Sequence, residues 1–142
     1  MDIISRADME QLFAEARKAA DSAYAPYSKF RVGAALLAED GSVYTGCNVE
    51  NRSFGLTVCA ERNVVFKAAS CGQRSFKALA LSTPDSQSPV APCGACRQVL
   101  SEFMEPSAEV VFGGGGGEER VETTLGVLYP FDSLHGLGEK KP

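Results

Sequence analysis

Basic runs are missing from this chain. Lys and Arg total 14 against 18 Asp and Glu, the formal net charge is −4, and no run of Lys and Arg exceeds two residues. Proteins that grip nucleic-acid backbones normally carry a basic stripe, so no polynucleotide partner is expected. Long apolar runs are missing as well. No stretch approaches the roughly 20 residues that cross a bilayer, so no membrane partner is expected. The first 25 residues hold Asp2, Arg6, Asp8, Glu10, Glu15, Arg17 and Lys18, which leaves no apolar signal-peptide core and makes the cytoplasm the expected address. Histidine is nearly absent: His135 is the only one, and it lies in a Gly-rich tail where a surface residue is expected rather than a ligand. No internal repeat or linker divides the sequence, so residues 1–142 read as a single domain.

Cysteine is present in an odd number, five, with two arranged as C-x-x-C. That pattern fits a reduced protein with metal-binding or redox-active thiols better than a disulfide scaffold.

Helical and extended segments alternate along the chain. Residues 5–22 read as an amphipathic helix: Ser5 is placed to cap it, and Met9, Leu12, Phe13, Ala16 and Ala20 recur on one face. Phe30 to Leu37 and Val43 to Val49 read as a hairpin turning at Asp40-Gly41. Cys59 to Ser70 reads as a helix stopped by Gly72, and Phe76 to Ser82 as a short strand. Pro92 opens a helix to about Phe103, ended by Pro106. Strands at Glu109 to Phe112 and Val121 to Thr124 follow. Between them Gly113 to Gly117 reads as a loose hairpin tip, because a phosphate loop would not be followed by Glu118-Glu119. The expected fold is α/β: a three-layer α/β/α domain on a mixed five-stranded sheet.

Two short segments carry the chemistry, Cys59-Ala60-Glu61-Arg62 and Pro92-Cys93-Gly94-Ala95-Cys96-Arg97-Gln98. Both cysteine groups fall at expected helix starts, where free backbone N–H groups and the positive dipole end favour thiolates. Three thiolates on one zinc leave a fourth position open, which distinguishes a catalytic metal from a structural one. Glu61 is close enough to serve a water there without binding the metal, and Arg62 can offset excess negative charge by donating to a sulfur. Other readings are a C-x-x-C redox pair and a closed structural site completed by Cys47, Cys71 or His135. Cys71 stands roughly 18 Å from Cys59 along the helix at 1.5 Å per residue, so it cannot be the fourth ligand. Cys47 and Cys71 are expected to be buried free thiols.

The chain resembles the small cytidine deaminases that act on free nucleosides. The resemblance runs through Tyr27-Ser28-Lys29-Phe30-Arg31-Val32-Gly33-Ala34-Ala35, Gly46-Cys47-Asn48-Val49-Glu50-Asn51 and both cysteine segments, in order and spacing across about residues 24 to 104. It implies that Cys59, Cys93 and Cys96 bind one Zn2+ per chain and that Glu61 is the catalytic proton carrier in hydrolysis of cytidine and deoxycytidine to uridine and deoxyuridine, with release of ammonia, in pyrimidine salvage. It further implies that Asn48 and Glu50 bind the ribose 3′-hydroxyl, that Phe30 packs on the nucleoside, that the Ala60 backbone meets the base, and that Arg62 compensates charge. The implied assembly is a homotetramer with shared active sites. Two departures stand out. Phe54 occupies a position where members often have Tyr. In the tail Phe131 directly follows Pro130, while Ser133 holds the place of the family's Phe, the residue that reaches a neighbouring subunit's site.

Overall fold

The structure, a computed structural model, describes residues 4–116 and 119–140. Helix α1 spans Arg6–Ala20, and the Ser5 hydroxyl accepts the Asp8 N–H at 3.0 Å, capping the helix as its sequence predicts. Strands β1 (Gly33–Ala38) and β2 (Val43–Cys47) form the expected hairpin, with Gly41 at φ +90 in the turn. Helix α2 (Ala60–Ser70), strand β3 (Phe76–Thr83), helix α3 (Gly94–Ser101), strands β4 (Met104–Gly114) and β5 (Arg120–Thr124) and the short helix α4 (Leu125–Leu128) follow.

The five strands make one mixed sheet in the order β2-β1-β3-β4-β5. Only β3 and β4 run parallel, and α3 lies in the crossover between them. Side-chain alternation then divides the core. Ala35, Ala78, Ala80 and Val111 face α1 and pack on Leu12, Phe13 and Ala16. Ala34, Leu36, Leu79, Leu81, Val110 and Phe112 face the other way and pack with Val64, Val65, Ala68 and Leu100 of α2 and α3. The three-layer α/β/α arrangement expected from the sequence is the one observed. Each fully buried Leu or Val contributes on the order of 1.5–3 kcal/mol.

Strand β1 starts at Gly33 rather than Phe30 and β2 ends at Cys47 rather than Val49, and other sequence expectations change as well. Strand β4 begins five residues before Glu109, because Phe76 N–H bonds to the Phe103 carbonyl at 3.0 Å and draws that segment onto the sheet. The register then jumps from Phe76↔Met104 to Ala78↔Glu109, so Pro106, which can donate nothing, sits in an irregularity. Helix α3 accordingly stops at Ser101 rather than Phe103. Cys71 is not buried: it caps the exposed end of α2, while Cys47 is half-buried.

The glycine run is not a loose tip over its described part. Gly113 and Gly114 complete β4, and the Gly115 N–H bonds to the Ser86 carbonyl at 2.8 Å. A Cβ on Gly115 would come 2.0 Å from the Pro84 carbonyl oxygen, and one on Gly114 would come 2.6 Å from that of Ser86. Glycine lets this strip lie flat on the loop that leads from β3 to the second cysteine pair. Gly117 and Glu118 lie outside the described residues.

Candidate active site

Cys59 and Cys93 occupy equivalent places. Each is the N-cap of its helix, in extended backbone at φ −67 ψ 155 and φ −69 ψ 169, before α2 and α3 respectively. Cys96 lies one turn into α3 and is fully buried. The three sulfurs all come within 4.8 Å of one another, and Cys93 Sγ and Cys96 Sγ are 3.5 Å apart. Three sulfurs bound tetrahedrally at about 2.3 Å from one zinc would stand about 3.8 Å apart, so the donor set and its spacing fit that ion. Among the described residues this is the one such cluster of His, Cys, Asp or Glu.

The sulfurs are electrostatically unequal. Cys59 accepts from the Cys96 thiol and from Arg62 Nη2, 3.3 Å away, and its pKa is pulled down to about 5. Cys96 shifts the opposite way, its proton held by Cys59 and by burial. Arg62 is in turn held more firmly protonated by the Cys59 thiolate. Glu61 is 4 % exposed, and burial pushes its carboxyl up to about 7. A carboxyl that titrates near neutrality beside an open metal position is suited to move protons.

Asn48 and Glu50 follow the end of β2 at alternate positions and both are buried. Between them Val49 pairs with Val58, the residue before Cys59, through reciprocal backbone bonds of 3.0 Å. The segment carrying the two polar residues is thereby laced to the segment that leads into the sulfur cluster. Asn48 Oδ1 accepts the Val32 N–H and Nδ2 donates to the Phe30 carbonyl, both at 2.8 Å. Glu50 Oε1 accepts the N–H groups of Tyr27 at 2.9 Å and Ser28 at 3.1 Å, and Oε2 accepts the Ser28 hydroxyl. These bonds lower the Glu50 carboxyl, the Ser28 hydroxyl most.

A cavity of about 230 Å³ opens beside this carboxylate, lined by Tyr27, Ser28, Glu50, Phe54 and Thr57. Tyr27 and Phe54 meet edge to face with centroids 5.4 Å apart, and Phe54 is 71 % exposed. Larger hollows of about 390 Å³ and 450 Å³ lie by the β4–β5 edge and under α4, but no cysteine of the cluster lines either. Phe30 is half-buried and is not a lining residue of the smaller cavity; Ala60 is fully buried as the first residue of α2. Phe131 is 90 % exposed.

A profile of the cytidine and deoxycytidylate deaminase zinc-binding region matches residues 6–113. The chain belongs to this deaminase family. It is 55% identical over 123 residues to a cytidine deaminase of Sporosarcina psychrophila, covering 87% of this chain and 89% of that one. A cytidine deaminase of Mycobacterium tuberculosis is 53% identical over 96 residues, 67% of this chain and 71% of its own. The crystal structure of cytidine deaminase from Burkholderia pseudomallei superposes with a TM-score of 0.83 at 44% identity, over 91% of this chain and 99% of that one.

Within the deaminase site, sequence reasoning missed residues that act through hydrogen bonds distant in the chain. Asn63 Nδ2 donates to the Cys47 carbonyl at 2.9 Å and to that of Val58 at 3.4 Å, tying β2 to the lead-in of Cys59. Ser28 and Thr57 line the cavity. Ser28 stands in a motif quoted from the sequence, but its bond to Glu50 spans 22 positions and has no local signature.

Proposed function

We propose that this chain is a zinc-dependent aminohydrolase that converts free cytidine and deoxycytidine to uridine and deoxyuridine, releasing ammonia, in a single catalytic domain serving pyrimidine salvage. The observation that carries this reading is the convergence of Cys59, Cys93 and Cys96 at two helix starts with the buried Glu61 two residues from one of them. Cys59, Cys93 and Cys96 would hold one Zn2+. When bound, zinc supplies Lewis acidity that makes a water nucleophilic near neutral pH.

Glu61 takes a proton from the attacking water and delivers it to ring N3, then takes the proton of the new C4 hydroxyl and gives it to the amine, which leaves as ammonia while the C4 carbonyl forms. Its carboxyl suits both directions of transfer because its acidity lies near neutrality. Arg62 offsets negative charge on the sulfurs from its position at Cys59. Asn48 retains one Nδ2 proton beyond the one given to Phe30, and Glu50 retains acceptor capacity on Oε2, so the two can donate to and accept from a sugar hydroxyl. Tyr27 and Phe54 wall the sugar cavity, Phe30 packs beside the nucleoside, and the Ala60 backbone meets the base.

Phe54 at the cavity and Leu56, Val127 and Phe131 elsewhere are large apolar side chains left exposed on one protomer, which supports a homotetramer. No described helix is long and apolar enough to cross a membrane, and the reading places the enzyme in the cytoplasm without a nucleic-acid or membrane partner. The test is turnover by the purified protein of cytidine, deoxycytidine, cytosine, cytidine monophosphate and adenosine, followed by absorbance and ammonia. Turnover of the two nucleosides is expected. Turnover of the monophosphate alone would overturn the sugar assignment, and zinc binding without any turnover would make the chain a zinc-binding interaction domain.

A further inference from the structure

The residues just before β1 have left the sheet, yet their backbone is held on both sides. Strand β2 ends at Cys47 and β3 at Thr83; past them the Val32 carbonyl still accepts the Asn48 backbone N–H at 3.2 Å, while the Phe30 carbonyl and the Arg31 and Val32 N–H groups turn to side chains. On the β2 side the Asn48 amide takes a strand's place, accepting the Val32 N–H and donating to the Phe30 carbonyl. On the β3 side the register Gly33↔Ser82 leads towards Pro84, which has no N–H to offer. There the Asp85 carboxylate takes over. Its Oδ2 accepts the Arg31 backbone N–H at 2.8 Å and Nε at 3.1 Å, and its Oδ1 accepts Nη2 at 2.8 Å. The Arg31 peptide is therefore clamped between the amide of Asn48, two positions before the cavity-lining Glu50, and the carboxylate of Asp85.

Asp85 itself has little room to shift. Ser86 N–H bonds back to the Thr83 carbonyl at 3.0 Å, the Ser86 hydroxyl to the Ser88 carbonyl at 2.8 Å, and the Ser86 carbonyl takes the Gly115 N–H. The glycine strip closes over Pro84 to Ser88 at distances that admit no Cβ. By contrast the second acid near Arg31, Asp21 at 3.7 Å, is 74% exposed and holds nothing in place.

We infer that Asp85, acting through Arg31, is a positioning residue for sugar recognition: it fixes Phe30–Val32 against the Asn48 amide and so aims the amide's remaining N–H at the sugar. The inference rests on the nucleoside reading above. Asp85, Arg31 and Asn48 all lie outside the cavity lining, but Asn48 stands two positions from Glu50, which lines it, so the effect of the clamp on the substrate passes through the Asn48 segment. Planar, forked pairing is the property used, which a lysine cannot supply.

The test is a comparison of cytidine with 3′-deoxycytidine in the zinc-loaded parent, Asp85→Asn and Arg31→Lys. Loss of a charge-assisted bond in this chain of contacts is expected to raise KM for cytidine about tenfold, with kcat changed by less than about twofold. The KM for 3′-deoxycytidine, which lacks the hydroxyl, should move by less than about twofold, and zinc should stay at one per chain. The Kd for uridine, read by calorimetry, should rise in parallel with the KM for cytidine. Equal losses on both nucleosides, or no change on cytidine, would overturn the inference. Should Asp85→Asn not fold, Arg31→Lys carries the same comparison, since it keeps the charge and the backbone bond. A parent inactive on every nucleoside would refute the nucleoside reading instead, a result distinct from an active parent with unaltered variants.

Discussion

Replacing Glu61 by Gln separates what the carboxyl does for chemistry from what its burial does to stability. Gln keeps the shape and can neither take nor deliver the proton, so kcat should fall by about 10²–10⁴ or more, since general acid–base transfer contributes that much and is used more than once per turnover. Zinc should remain at one per chain, because Glu61 is not among the sulfur donors. Stability should move the other way. Burial raises the carboxyl from 4.5 to about 7, a displacement worth about 3 kcal/mol at 1.36 kcal/mol per unit. The sign follows from proton counts. Between the two values the unfolded chain has lost its proton while the folded chain keeps it, so stability falls as pH rises through this window and the full cost applies above about 7. After zinc removal, Glu61→Gln should therefore melt higher than the parent by about 10 °C at pH 8, with the difference closing below about pH 4.5. The measurements are ammonia release by the loaded protein and melting across pH of the metal-free one. Undiminished turnover would remove Glu61 from the mechanism, and a melting difference independent of pH would show that desolvation is not what tunes it.

Changing Cys96 to Ser should reduce bound zinc from one per chain towards none by elemental analysis, while the buried position accepts the smaller atom. Gly115→Ala should lower stability by about 1–3 kcal/mol, visible in denaturant midpoints, because the added Cβ meets the Pro84 carbonyl oxygen at 2.0 Å and backbone must move. Gly55→Ala, with nothing within 4 Å of its Cβ, is the matched control and should change little. In acid, Asp85 is held down to about 2 by Arg31, and Glu50 is lowered by Ser28. Their contributions are present above the unfolded values near 4 and are lost as pH falls through the folded ones. Stability should thus decline from about pH 4 towards pH 2, and Asp85→Asn should make that decline shallower in pH-dependent denaturation.

What could be read from the sequence was local in origin. The cap at Ser5, the apolar face of α1 and the i, i+3 pair Cys93 and Cys96 need only a few residues to declare themselves. The alternation that divides the core between two faces is likewise written in each strand. Meeting of Cys59 with the other two sulfurs is not local: cysteines at two helix starts allowed it, and the resemblance implied it. The early start of β4 depends on a bond between Phe76 and Phe103, and the close packing of the glycine strip depends on a loop some thirty positions away. Cys71 looked like a core thiol by residue type, but the end of α2 points it out of the fold. The Arg31–Asp85 clamp joins residues 54 apart, each unremarkable in its own neighbourhood.

The clamp also bears on why the cavity beside Glu50, the proposed sugar site, forms at this end of the sheet. Buried or half-buried backbone must find partners, and the cheapest partners are neighbouring strands. Had β2 and β3 continued alongside Phe30–Val32, their backbones would have satisfied it and closed the space. Apart from the Val32 carbonyl, which takes the Asn48 backbone N–H, the Asn48 and Asp85 side chains meet these donors and the Phe30 carbonyl, which releases the two neighbouring segments to diverge. The β2 side diverges to Glu50 and the Val58–Cys59 lead-in; the β3 side diverges to the loop that ends at Cys93. Side chains that stand in for strands thus let one sheet end hold its backbone bonds while opening towards both sources of sulfur. By this argument Asn48 is needed for two reasons, backbone pairing and sugar contact, and Asp85 for only the first. Asn48→Ala should consequently cost stability and a direct contact to the sugar, whereas Asp85→Asn should cost stability at neutral pH and reach KM only through geometry.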